Sequence, residues 1–167
     1  MAIGIFTTDI NLTIRSWDSR LIELTGITAA QSCGQKITDL IPDLEQRGLL
    51  ERFQRVITQG VIETLAPAFH QYLIPCPPPA NSKHFQYMQQ RVTITPLREK
   101  TTIVGTIVTL EDVTVRRERE IDLAQHYRRE IISSEVVSSD AEAQERNLMF
   151  SISDDLNKGL YAKLLSI

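Results

Sequence analysis

Val104-Gly105-Thr106-Ile107-Val108-Thr109-Leu110-Glu111-Asp112-Val113-Thr114-Val115-Arg116-Arg117-Glu118 changes character at its centre. Its first part belongs to a run from Thr102 to Val113 that is dense in β-branched residues, the composition of a strand. From Val115 onward it is charge-rich, and Ile121, Ala124, Tyr127 and Ile131 recur three and four residues apart, the spacing of one helix face. Between the two lie Asp112 and Thr114. A carboxylate and a hydroxyl at that point can accept the exposed N–H groups that open a helix. The stretch therefore reads as a strand running directly into a helix through a built cap.

Upstream, two more runs rich in Val, Ile, Thr, Tyr and Phe are expected to be long strands: His84 to Leu97 and Val61 to Ile74. Between them Pro75-Cys76-Pro77-Pro78-Pro79 and the residues to Lys83 cannot donate a regular ladder, which predicts a stiff exposed connector. Before the strands, Leu44, Leu49, Leu50, Phe53, Val56 and Ile57 predict a helix over 43–59, closed by Gly60. Leu21, Ile22 and Leu24, after Asp18 or Ser19 as a cap and before Thr25-Gly26, predict a short one. Ile37, Leu40 and Ile41 predict a further turn between Gly34 and Pro42. At the start, Ile3 to Thr8 and Leu12 to Trp17, separated by Asp9 and Asn11, read as a β-hairpin.

Downstream, a helix is expected over 116–132, with a break at Ser133-Ser134 and Ser138-Ser139. Ser139 to Glu142 then fits a capping box, and Leu148, Ile152, Leu156, Leu160 and Leu164 share a face of a final helix.

Composition narrows the function classes. The chain is 167 residues long, 42% hydrophobic and 23% charged, which suits one folded domain with an appendage. A formal charge of -3 and an interrupted basic run at Arg116-Arg117-Glu118-Arg119 argue against a phosphate-neutralising surface, so nucleic acid is not an expected partner. Cys33 and Cys76 lack the pairing and flanking histidines of a zinc or redox motif, and both read as free thiols. The opening residues carry no basic, then apolar, leader, and no apolar run reaches the roughly 18 residues that span a bilayer. A cytoplasmic setting without membrane insertion is expected.

The local motifs resemble the PAS family of sensor domains. Leu12-Thr-Ile-Arg-Ser-Trp17-Asp18 followed by Leu24-Thr-Gly26 is similar to the PAS signature in which a strand ends in Trp-Asn and a short helix in Thr-Gly. Gly34-Gln-Lys-Ile-Thr-Asp-Leu-Ile-Pro42 looks like the segment that follows it. The stretch 104–118 resembles the last PAS strand and its Asp-Ile-Thr junction. The resemblance covers residues 3 to 120. It implies an α+β fold, a five-stranded antiparallel sheet of order 2-1-5-4-3 with short helices on one face, followed by a C-terminal helical extension. It divides the chain into a PAS sensor domain, residues 1–114, and a helical output or dimerisation segment, residues 115–167. It also makes Asp112 and Thr114 the signal-transmission junction, holding the sheet against the outgoing helix.

Cofactors known in that family were tested against the residues. The photoactive cysteine of flavin-binding members falls where this chain has Ile37, so flavin adduct chemistry is not expected. Haem lacks a histidine on the helix over 43–59, His70 and His84 lying on expected strands instead, and is unsupported. A citrate-type pocket lacks converging cations, Arg91 and Arg98 being the only arginines on the expected strands after that helix. Trp17, Phe53, Phe69, Tyr72, Phe85 and Tyr87 could line an apolar cavity or simply fill a core. The ligand is thus unknown and no metal site is expected.

Three functions compete. The first is a signal-sensing and protein-interaction module, bacterial two-component-like by resemblance, that acts as a homodimer and relays through its C-terminal helix to an effector outside this chain. The second makes 115–167 the phosphoacceptor segment of a sensor histidine kinase, with His126 receiving phosphate, although Tyr-Arg-Arg-Glu follows it rather than the acid, leucine, arginine and proline of such kinases. The third is a constitutive dimerisation scaffold without ligand. No phosphate loop, metal cluster or nucleophile with an evident base marks the chain as an enzyme.

Overall fold

The computed structural model describes residues 3–80 and 82–164, the side chains of 152, 155–157 and 159–164 excepted. Two units divide the chain, Met1–Arg119 and Glu120–Ile167.

The first unit opens with the expected hairpin, β1 (Ile3–Asp9) and β2 (Ile14–Trp17). Its turn is organised by the Asp9 carboxylate, whose Oδ1 accepts from the Asn11 and Thr13 amides at 2.9 and 3.0 Å. Burial pushes the Asp9 carboxyl up, but these bonds and the Arg15 guanidinium outweigh it and hold its pKa below the usual value. Asp18 then does two jobs. Its Oδ1 caps α1 (Ser19–Thr25) at Leu21 N, 2.8 Å away, and its Oδ2 accepts from Ile5 N at 2.9 Å, tying the helix to β1. Gly26, at φ 74°, closes α1 in the left-handed conformation that glycine adopts without a Cβ clash.

Single turns α2 (Ala29–Ser32) and α3 (Ile37–Leu40) lead to α4 (Leu49–Gln59), where Leu49, Phe53 and Val56 are buried against the sheet. That helix starts at Leu49 rather than at residue 43, because 43–48 form turns that end at Gly48 with φ 68°. After α4 come β3 (Glu63–Leu65), the single turn α5 (Pro67–His70), β4 (Gln90–Glu99) and β5 (Thr102–Asp112). The sheet is antiparallel with order β2-β1-β5-β4-β3, the order the resemblance implies.

Two expected strands are shorter than expected. The run from Val61 to Ile74 pairs over Glu63–Leu65 only, since Pro67 removes a ladder donor and its fixed φ suits the first turn of a helix. The run from His84 pairs only from Gln90. The intervening segment is long and irregular, yet Leu73, Ile74, Cys76 and Met88 within it are buried.

The core lies between the helices and one sheet face: Phe6, Ile14, Leu21, Phe53, Val56, Val92, Ile94, Val108 and Leu110 are all fully buried. At about 1.5–3 kcal/mol for each such aliphatic or aromatic side chain, this cluster supplies the main drive to fold. The other face is half-covered at best. It carries Ile3 and Ile5, 45% and 42% exposed, with Thr93, Thr95, Ile107 and Thr109 half-buried beside them.

One helix, α6 (Thr114–Leu164, 51 residues), leaves the sheet and forms the second unit from Glu120 on. It runs through Ser133-Ser134 and Ser138-Ser139 without the expected break, so the expected capping box at Ser139 and Glu142 does not form. Serine weakens a helix only mildly, and neither glycine nor proline occurs between Thr114 and Lys158. Leu148 is exposed; the remaining leucines and isoleucine expected on its face have side chains outside the described residues.

Candidate functional site: the strand-to-helix junction

β4 and β5 end together, with Gln90 opposite Asp112. One residue further the ladder is continued by a side chain. Asp112 Oδ1 accepts from Thr114 N at 2.9 Å and from Thr114 Oγ1 at 2.6 Å. The Thr114 hydroxyl, having donated its proton to Asp112, accepts from Gln89 N at 2.9 Å, and Gln89 O accepts from Val113 N at 2.8 Å. Thr114 is 1% exposed, so the loss of any of these partners strands a buried polar group. The carboxylate also sits at the N-terminal end of α6, where negative charge is favoured. Asp112 and Thr114 thus clamp the first residue of α6 to the start of β4.

A second clamp lies one helical turn on. Glu118 Oε1 accepts from Ser82 Oγ at 2.7 Å, Lys83 N at 2.5 Å and His84 N at 3.3 Å, at the tip of the proline-containing segment. The Ser82 bond most of all, the two amides, and the charge of His84 when protonated hold the Glu118 carboxyl below the usual glutamate range.

The segment between β3 and β4 is itself anchored. The Gln90 side chain behaves as a strand edge: Oε1 accepts from Leu73 N and Ile74 N at 2.9 and 3.1 Å, and Nε2 donates to Ile74 O at 2.6 Å. The Arg47 guanidinium donates to the carbonyls of His70 at 3.0 Å, of Leu73 at 3.4 Å and of Tyr72, and lies 4.2 Å over the Tyr72 ring. Tyr72 meets Tyr87 with centroids 4.8 Å apart. Gln71 has φ 60° and ψ -65°, with Tyr72 N donating to His70 O at 2.7 Å. That is a tight γ-turn with positive φ, a strained arrangement for a residue bearing a Cβ.

The aromatic residues considered for a cavity are divided by the fold. Trp17 is buried against Phe6, and its Nε1 donates to Ile27 O at 2.9 Å; Phe53 is in the core. Phe69, 84% exposed, and Tyr72 border a surface depression of about 380 Å³ with Arg47 and His70. Phe85 and Tyr87 border another, of about 290 Å³, with Pro67, Gln71 and Arg117. The six are not brought together around one cavity.

Cys76 is buried and its thiol is pushed up to about 11 by desolvation, against the hydrogen bond from Gln90, while Cys33 is exposed. Burial first, then the charges of Arg52 and Arg47, lowers the pKa of His70. Among the described residues no three His, Cys, Asp or Glu side chains are grouped to hold a metal ion, and no helix is long and apolar enough to cross a membrane. His126 lies exposed on α6 in the second unit, Nε2 3.2 Å from Glu130.

Gln89, Gln90, Glu118 and Arg47 were not singled out in the sequence. Glu118 alone carried a signal, its spacing of four from Thr114, which places both on one side of the helix.

With strand order, junction and outgoing helix established, the class is a PAS sensory domain continued by a helix. The PAS fold family model matches residues 1–113, and the chain belongs to that family. Among solved structures, a sensory box sensor histidine kinase from Vibrio cholerae shares 16% identity at TM-score 0.53, over 68% of this chain and 83% of that one. An RNA-binding light-oxygen-voltage receptor shares 20% at TM-score 0.54, over 78% of this chain and 34% of its own. The Vibrio cholerae VqmA dimer, a LuxR-type receptor in the absence of its target DNA, shares 20% at TM-score 0.50, over 68% of this chain and 47% of that one. These likenesses establish the fold. No curated protein matches the sequence.

Proposed function

We propose that residues 1–114 act as a signal-sensing and interaction module and that residues 115–167 carry the output, α6 relaying a change at the sheet to an effector outside this chain. The observation that carries this reading is the clamp from Asp112 through Thr114 to Gln89. A shift of β4 against β5 must move the first turn of α6 or break buried hydrogen bonds, which makes helix position a readout of sheet position. The module is read as non-catalytic, cytoplasmic and homodimeric.

The half-covered sheet face supports the dimer. Ile3 and Ile5 form its apolar part, and Arg91 and Glu111, opposite each other across β4 and β5, put both charge signs beside them. A surface of that kind is complementary to a second copy of itself about a twofold axis.

Asp112→Ala in the full chain tests the relay. Hydrogen exchange should quicken at least tenfold at Gln89 and through the first turns of α6, while amides of β1 and β5 keep their protection. Unchanged exchange at the helix start would refute the relay.

A further inference from the structure

We propose that Glu118 is a latch through which the segment from Gln71 to Gln89 controls α6, so that this segment is an input element and not a passive connector. The proposal rests on α6 being the output.

Three observations converge on it. First, the contact joins groups 34 to 36 residues apart in sequence and engages one carboxylate oxygen with three donors, one hydroxyl and two backbone amides. An incidental surface contact rarely satisfies so many donors on one oxygen, and charge-assisted bonds of this kind are the strong ones.

Second, the segment can transmit force to the latch. Its start is gripped by Arg47 and, at Leu73 and Ile74, by the Gln90 side chain, and its end by Thr114, whose hydroxyl accepts from Gln89 N, with Met88 N donating to Cys76 O at 3.0 Å across its two arms. Leu73, Ile74, Cys76 and Met88 are buried in the main core, which ties the segment to the domain. Its described residues are held at both ends and, at the tip, by α6.

Third, the pivot is strained. Gln71 keeps its positive φ because every neighbouring carbonyl is engaged: its own by Gln90 N at 2.8 Å, and those of His70 and Tyr72 by Arg47. A strained residue persists only where its surroundings over-determine it, and such residues gather at switches. Relaxing Gln71 lets the segment swing. The Ser82 to His84 tip then withdraws from Glu118, and α6 keeps only the Asp112–Thr114 clamp.

The test is amide exchange on the full chain, comparing Glu118→Ala with Arg116→Ala, an exposed charge on the same turn. Opening the latch should speed exchange at Lys83 and His84 at least tenfold and at Glu118 and Arg119 at least threefold, with β1 and β5 unchanged and Arg116→Ala without effect. Ser82→Asp, which sets two carboxylates face to face, should reproduce the result. Glu118→Gln, whose amide oxygen can still accept from Ser82, Lys83 and His84, should keep most of the protection. Faster exchange confined to Lys83 and His84 would overturn the proposal, since the contact would then only steady the segment. So would uniform acceleration through the sheet, or a loss in Glu118→Gln as complete as that in Glu118→Ala. If Asp112→Ala alters the helix and Glu118→Ala does not, the relay stands and the latch falls.

Discussion

Gly105→Ala is the substitution that this sheet should tolerate least for its size. Gly105 sits opposite Asp9 in the pairing of β5 with β1, and both strands are interior to the sheet. A Cβ built there would lie 1.8 Å from the Thr8 carbonyl oxygen, 2.8 Å from the Thr8 carbonyl carbon and 3.0 Å from Asp9 Cα. All three are backbone atoms, so no rotamer change gives relief. The strands must part by more than an ångström, and with them goes the hydroxyl pair Thr8–Thr106, 2.8 Å apart and buried. Overpacking a well-filled site costs about 1–3 kcal/mol, and each ladder or hydroxyl bond lost costs about 1 kcal/mol more. The sum is about 3–4 kcal/mol, a large part of the roughly 5–15 kcal/mol that holds a domain folded. Urea unfolding followed by circular dichroism should show it, and the midpoint of thermal unfolding should fall by about 10 °C or more. Gly48→Ala is the contrast: its φ is 68° but nothing lies within 4 Å of a Cβ there, so only the left-handed backbone cost of about 1–2 kcal/mol applies. A Gly105→Ala protein within 0.5 kcal/mol of the parent, or equal to Gly48→Ala, taking the central pairing as about 3 kcal/mol of steric conflict, would refute the reasoning.

Two further outcomes follow from the surface chemistry. Ile5→Glu places a charge in the apolar part of the open sheet face, twice over about a twofold axis; sedimentation equilibrium should show the dimer dissociation constant raised about 100-fold, and an unchanged constant would remove the sheet face from the interface. For the latch, the folded pKa of Glu118 lies below its usual value of 4.5, so its contribution is complete above that value and is lost as pH falls through the lower, folded one. Exchange protection at Lys83 and His84, corrected for intrinsic rates, should therefore hold from pH 7 down to the usual glutamate value and be lost only below it. Loss of protection between pH 7 and 6 would contradict this.

The parts of the fold legible in the sequence are those written in nearest neighbours. β5 and the start of α6 could be read because β-branched alternation gives way to charge at Asp112–Thr114, and α4 because Phe53 and Val56 repeat at helical spacing. The run 61–74 misled because Phe69, Tyr72 and Leu73 have strand propensity while Pro67 directs the chain into a turn. Aromatic identity likewise said nothing of direction: Phe53 points into the core and Phe69 out of it. The serines at 133–139 suggested a stop, but a helix without glycine or proline there continues. Least legible were Arg47 and Gln90. Each acts on backbone groups 16 to 26 residues away, and side chain to main chain bonds over that distance leave no periodicity to find.

Those two residues bear on why the segment before β4 is ordered. An irregular stretch of this length normally loses the contest with chain entropy unless its backbone groups find partners, at about 1–2 kcal/mol for each residue fixed. Here the partners come from outside the segment: a guanidinium from the turns before α4, an amide from β4 and a carboxylate from α6. Order in the segment therefore depends on the helix, the sheet and α6 keeping their places, and any ligand or partner that repositions one of the three changes the other two contacts as well. Coupling of that form runs in both directions, so displacement of α6 must loosen the segment as surely as displacement of the segment loosens α6.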